Sequence, residues 1–145
     1  MLNRRTFLKT TGVAAGAAAL GFPAVLRAQA KEIKLGAVHP VTGPLAEIGQ
    51  ACRLGAQMAV EAINAAGGIK SMGGAKLVLL PGDSETKPDV ARTVAERLIN
   101  EGAVMLTGAF HSGHTMAMVP VAQQRRVPFL VDISAADVIT LNVAQ

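Results

Sequence analysis

The sequence has no tryptophan, no tyrosine and only four phenylalanines in 145 residues. Proteins that stack nucleobases need flat side chains, so a nucleic-acid partner is set aside. The core must be aliphatic. Half of the residues are hydrophobic, almost all of them Ala, Val, Leu, Ile or Met. Cysteine occurs once, as Cys52, so no disulfide can form within the chain. Acidic residues are missing from the first 30 positions, which hold Arg4, Arg5, Lys9 and Arg27. Beyond them basic and acidic residues balance, so the net charge of +4 belongs to the leader and implies no polyanion.

That leader has three parts. "NRRTFLK" is a basic head, "TTGVAAGAAALGFPAVL" a mildly apolar middle, and "AQA" at 28 to 30 fits the small-x-small pattern that a signal peptidase reads. The middle is too short and too rich in Ala and Gly to span a bilayer comfortably. The expectation is a cleaved signal peptide over residues 1–30, cut after Ala30, with 31–145 as the mature domain. "RRTFLK" resembles the twin-arginine export motif. This resemblance implies a bacterial protein exported already folded and placed in the periplasm. Such export serves cofactor-loaded redox enzymes and plain binding proteins alike. In that oxidising compartment Cys52 is expected to be a small buried apolar residue rather than a reactive thiol.

The mature chain alternates strand and helix patterns. "KEIKLGAVHPVTG" opens with a period of two and ends in a Pro/Gly turn. In the next segment Ile48, Cys52, Ala56, Ala59 and Ile63 recur at helical spacing, which predicts a helix with that face inward. Glu47, Gln50, Arg53, Gln57 and Glu61 lie opposite. Thr42 or Gly43 would cap it, and Gly67-Gly68 would end it. "AKLVLLPGDSE" reads as a second strand, and "KPDVARTVAERLINEG" as a helix with Val90, Val94, Leu98 and Ile99 inward. "AVMLTGAF" is a third strand. "SGHTMAMVPVAQQRR" is a helix from about Gly113 that Pro120 could shorten or kink. "VPFLVDIS" is a fourth strand, and a short turn or helix follows. The later strands are continuous apolar runs, as a sheet covered on both faces requires. The fold class is therefore α/β, a doubly wound, Rossmann-like parallel sheet with right-handed crossovers.

Ligands of such sheets bind beyond the carboxyl ends of the strands. Four loops lie there: "HPVTGP", "PGDSETKP", "FHSGHT" and "DISAAD". Ser112 sits where a helix begins, among free N–H groups at the positive end of the helix dipole, a place that favours an anion. Gly113 would let a ligand approach the backbone. Ser is also a preferred helix cap, so capping alone is the alternative. A nucleophilic elbow would need Gly at 110 and 114, where Phe110 and His114 stand. His111 and His114 lack the carboxylate or cysteine company of a metal site. No metal and no cofactor are expected. His111 is read as facing the cleft, His114 as facing solvent, and Asp83 as capping a turn or shaping the cleft edge.

Residues 33–69 are similar to the opening of the periplasmic leucine/isoleucine/valine-binding proteins, the substrate-binding subunits of ABC importers (type I periplasmic binding proteins). The motif is Thr42-Gly43-Pro44, then Gly49, then Ile63-Asn64 with Gly67-Gly68-Ile69. "LVLLPGDSETKPDVA" and "LTGAFHSGHTMAMVPVAQQRRVPFLVDISAADVIT" resemble the units that follow. Family members are longer and have two lobes with the ligand between them, so the resemblance implies the first lobe of such a protein, truncated after the fourth strand. It also implies that Ser112 holds the ligand carboxylate with its hydroxyl and backbone, and that Ser134 offers its backbone. Ala135 stands where the family has a threonine, and Ile48 where some members carry an aromatic ring. The implied site is Thr42, Ile48, His111, Ser112, Gly113, Ser134, Ala135 and Ala136. The implied function is a non-enzymatic receptor for a branched-chain type of amino acid or a similar small carboxylate. It would be monomeric at full length and would deliver its ligand to the membrane permease of an ABC transporter. A secreted enzyme or redox protein on a Rossmann-like fold is the alternative from another class. It lacks Gly-x-Gly-x-x-Gly after the first strand. The ligand-sensing domain of a receptor is a third reading.

Overall fold

The computed structural model describes residues 31–141; the leader with its expected cut after Ala30, and residues 142–145, lie outside the described residues. The elements are β1 (Glu32–His39), α1 (Ala46–Ala65), β2 (Lys76–Asp83), α2 (Pro88–Asn100), β3 (Met105–Gly108), α3 (Ser112–Arg125), β4 (Phe129–Val131) and α4 (Val138–Leu141). The four strands form one parallel sheet in the order β2-β1-β3-β4. This is the doubly wound α/β arrangement read from the sequence.

Topology decides which face each helix takes. The chain steps from β1 to β2 in one direction across the sheet and from β2 through β3 to β4 in the other. Right-handed crossovers then place α1 on one face and α2 with α3 on the opposite face. Alternation along β1 turns Gly36 and Val38 toward α2 and α3. A Cβ on Gly36 would meet Leu98, Ala103 and Leu106. The core fills this side: Val38, Ala91, Ala95, Leu98, Leu106 and Met118 are all fully buried. α2 presents the inward face expected of it, with Ala91 and Ala95 added to Leu98. Pro120 does not end α3, which continues to Arg125.

α1 differs from the sequence reading. It packs on β1 and β2 through Gly49, Ala56, Val60 and Asn64, whereas Ile48 (49% exposed) and Ile63 (38%) point outward and Ala59 is exposed with them. Arg53 is half-buried, because its guanidinium Nη2 donates to the Gly82 carbonyl on β2. Cys52 is half-buried rather than buried. Among the described residues α1 packs on β1 and β2, and Leu130 on β4 is 56% exposed. Of the apolar stripe that the helical spacing assigns to the interior, Ile48, Ala59 and Ile63 are therefore left exposed.

Two backbone constraints seat α1. A Cβ on Gly49 would lie 1.8 Å from the Pro40 carbonyl oxygen, so only glycine lets the first turn of α1 close onto the first loop. At the other end Asn64 imitates a strand neighbour: its Nδ2 donates to Leu77 O and its Oδ1 accepts from Leu77 N, both at 2.8 Å. Gly67 and Gly68 follow with φ of 103° and 78°, the left-handed stop foreseen for them. The start was misread. Neither Thr42 nor Gly43 caps α1; the residue before the helix is Leu45, whose N–H donates to Thr86 Oγ1 at 3.3 Å.

Leu98→Ala is expected to cost about 2–5 kcal/mol, as truncating a fully buried leucine generally does, measured by urea denaturation. Gly49→Ala is expected to destabilise the fold and to disturb the first loop, seen as amide shifts confined to residues 39–50 in nuclear magnetic resonance spectra.

Candidate ligand-binding site

The carboxyl ends of the strands are tied together by side chains. Asp83, at the end of β2, accepts at Oδ1 from Val41 N (3.0 Å) and Glu85 N (2.8 Å), and at Oδ2 from Thr42 Oγ1 (2.7 Å). Thr86 donates to Thr42 O at 2.9 Å and accepts from Leu45 N. These contacts join the first loop to the second. Burial pushes the Asp83 carboxyl up, but the Glu85, Val41 and Thr42 N–H groups and the Thr42 hydroxyl outweigh it and hold the group below the usual carboxylate range. Asp83 thus caps a turn, the first of the two roles expected of it, and ties the first loop to the second.

The third loop leaves β3 sharply. Gly108 (φ 119°) and Ala109 (φ 59°) are both left-handed, and a Cβ on Gly108 would lie 2.3 Å from Val38 O. α3 then starts at Ser112. The cap is not Ser112 but His111, whose Nδ1 accepts from Gly113 N at 3.2 Å. His114 N and Thr115 N donate to His111 O at 3.0 and 3.2 Å. Gly113 therefore has its N–H engaged, with the His111 ring 3.2 Å from where a Cβ would stand. The hydroxyl and N–H of Ser112 have no partner among the described residues, at the first turn of the helix. Ser112 is half-buried and His111 exposed.

His114 corrects the sequence reading: it is 2% exposed, not solvent-facing. One helical step separates it from His111 and turns its ring beneath the loops. There Nδ1 lies 3.4 Å from the hydroxyl of the fully buried Ser84, linking the third loop to the second. Burial, then the charge of His111, pull its pKa below the usual histidine value, against a hydrogen bond to the Thr86 backbone.

The fourth loop is held by hydroxyls and by an imidazole. Thr115 Oγ1 donates to Ala109 O at 2.9 Å. The Ser134 hydroxyl lies within reach of the same carbonyl and 2.6 Å from Thr115 Oγ1. Ser134 thus spends its side chain on the scaffold. Ala135 and Ala136 line a cavity of about 260 Å³ with Val131 and Ile139. Asp132, just ahead of them, meets His39 of β1, with Nε2 and Oδ2 3.0 Å apart. A larger cavity of about 440 Å³ adjoins the smaller one between α3, β4 and α4, sharing Val131 and Ile139, with further apolar walls formed by Val119 and Phe129.

Of the residues named from the sequence, His111, Ser112 and Gly113 lie together on the third loop, and Ser134 is drawn to that loop through Thr115. Thr42 is bound to Asp83, and Ile48 sits exposed on the first turn of α1. His39, Asp132, Thr86 and Thr115 were missed. The available signal was positional: polar residues directly at the ends of apolar strands must meet at one edge of a parallel sheet. Among the described residues no three His, Cys, Asp or Glu side chains are grouped to hold a metal ion.

A parallel sheet of this order with polar loops at its carboxyl edge is shared by many α/β proteins, so likeness in sequence decides the class. The family model described as periplasmic binding protein matches residues 32–143, and a twin-arginine translocation signal sequence matches residues 1–21. The chain belongs to the periplasmic binding protein family and is exported to the periplasm. It is 38% identical over 110 residues to the Leu/Ile/Val-binding protein homolog 7 of Brucella abortus, covering 75% of this chain and 27% of that protein. It is 34% identical over 111 residues to a leucine-, isoleucine-, valine-, threonine- and alanine-binding protein of Pseudomonas aeruginosa, covering 77% and 29%. Among solved structures it resembles the branched-chain amino acid transporter substrate binding protein LivJ from Streptococcus pneumoniae in complex with isoleucine. The TM-score there is 0.72 at 33% identity, over 76% of this chain and 31% of that one. It also resembles a solute binding protein from R. palustris in complex with 4-hydroxybenzoate, with a TM-score of 0.64 at 26% identity, over 76% and 29%. The chain thus spans less than a third of the relatives it matches. All four relatives are described as binding proteins, and the two solved structures as binding proteins of transporters.

Two measurements test the loop contacts. Asp83→Asn is expected to cost about 1–2 kcal/mol at neutral pH by urea denaturation, since it weakens hydrogen bonds to a charged acceptor. The difference should vanish at strongly acid pH, because a depressed carboxylate stabilises only above its folded pKa. His114 acts in a higher window. Its folded form resists protonation, so the unfolded chain binds more protons once the pH falls below about 6.5. The thermal midpoint should therefore fall on acidification below that point, and His114→Gln should flatten this slope.

Proposed function

We propose that this chain is the first-lobe part of a solute-binding protein that captures a branched-chain type of amino acid or a similar small carboxylate in the periplasm. It hands that ligand to the permease of an ABC importer and carries out no catalysis. The observation that carries the reading is Ser112, with an unengaged hydroxyl and N–H at the start of a 14-residue helix. A carboxylate placed there gains two donors and the positive end of the dipole without facing a full positive charge. The ligands of the relatives support the same class. Isoleucine and 4-hydroxybenzoate differ in shape and in the ammonium group, and they share the carboxylate.

The other proposed contacts follow from position. His111 stands beside Ser112 with Nδ1 turned inward to Gly113, which leaves Nε2 as its outward polar atom. Gly113 keeps the approach free of a side chain. Ser134, Ala135 and Ala136 offer backbone groups, since the Ser134 hydroxyl is already engaged and the alanines have none. Ile48 and Thr42 border the site from the first loop. The mature domain begins at Lys31, after the cut at Ala30.

Isothermal titration of the mature protein with amino acids and small carboxylates is expected to give heat with at least one of them, and silence across the panel from folded protein would refute the proposal. For the compound that binds, Ser112→Ala should weaken affinity by about 10- to 100-fold, the equivalent of losing a hydrogen bond to a charged group.

A further inference from the structure

His39 ends β1, and its side chain is completely buried. Since Val38 points into the α2–α3 core, alternation turns His39 to the other face of the sheet, the one that carries α1. Its contact, Asp132, follows β4, and β3 lies between β1 and β4. The bond between Nε2 and Oδ2 thus reaches across the end of β3 at 3.0 Å. It can do so because β3 stops at Gly108, paired with Val38, and the chain turns away at the left-handed Ala109. An ionised carboxylate only accepts, so the shared proton sits on Nε2.

Both oxygens of Asp132 are in use. Oδ2 faces His39, while Oδ1 accepts from Ile133 N at 2.8 Å and shapes the first turn of the loop. Two residues on, Ser134 is fastened to Ala109 and Thr115. The segment 132–136 therefore hangs from two points, one on β1 and one on the third loop with α3. The second ring nitrogen of His39 is buried without a partner among the described residues, so the imidazole makes one directional contact and it goes to Asp132. A side chain buried for packing alone would be apolar at this place.

We infer that His39 and Asp132 are positioning residues: the buried imidazole holds the Asp132 carboxylate across the end of β3 and so fixes segment 132–136 beside the first turn of α3. The pair touches no ligand itself. The inference rests on the solute-binding reading for what that segment does, but the placement of the segment can be measured without a ligand. Cys52 on α1 is the titratable group that feels Asp132 from the packed helix; burial first, then the Asp132 charge, push its thiol up.

Hydrogen exchange of the mature protein tests the pair. His39→Ala should speed exchange of the 133–137 amides by about tenfold or more, as expected when a hydrogen bond to a charged group is lost, with the α2 amides unchanged. His39→Gln should return it to within about threefold of the native rate, because the glutamine amide places an N–H donor near the position of Nε2. Equal exchange in all three proteins, or a glutamine variant no better than the alanine one, would overturn the inference. Should His39→Ala fail to fold, nitrogen-15 spectra of the native imidazole decide instead. A slowly exchanging proton on Nε2 supports the pair, and a proton on Nδ1 alone sinks it. In the ligand arm, the compound that the native protein binds should bind His39→Ala about tenfold more weakly and His39→Gln nearly as well as the native chain. A native protein that binds nothing in the panel would defeat the solute-binding reading, while the exchange experiment still judges the pair.

Discussion

The carboxyl edge of this sheet depends on one constraint: beyond the strand ends, four diverging loops are tied to one another mainly by side chains. Parallel strands deliver their ends to the same edge, and the connections then diverge. Asp83 joins the first two loops, His114 the second and third, Thr115 and Ser134 the third and fourth, and His39 with Asp132 the first and fourth. The links close a ring. Hydrogen bonds in such a ring orient one another, and a partly satisfied network is worse than none, so loss of one member loosens its neighbours.

The ring explains why the polar residues here divide into two kinds. Thr42, Ser84, Thr86, Thr115 and Ser134 are hydroxyl residues with engaged oxygens, and they work as scaffold. Ser112 is a hydroxyl residue of the same chemistry whose oxygen is free. Position decides the difference. Ser112 stands on the first turn of α3, one residue past the imidazole that caps it.

The order of strands and helices was legible because apolar runs, helical spacing and Gly/Pro stops agreed along the chain. The face of α1 was not. Periodicity fixes which residues share a stripe, but not whether the chain supplies something to cover it. Here Ile48, Ala59 and Ile63 share the stripe and are exposed among the described residues. The loops were legible as polar and convergent, and Ser112 could be singled out. Partners were not, since the contact of His39 with Asp132 spans 93 residues and depends on β3 ending early. The caps misled for a related reason. Thr42 and Ser112 are good caps by residue type, yet tertiary partners took the first and an imidazole displaced the second.

The close seat of Gly49 on the Pro40 carbonyl makes the first loop and the first turn of α1 a single stiff unit. Neighbouring positions on that turn then differ in what they tolerate. Ile48, half open to solvent, has room for side chains of other sizes, while the next residue admits one amino acid.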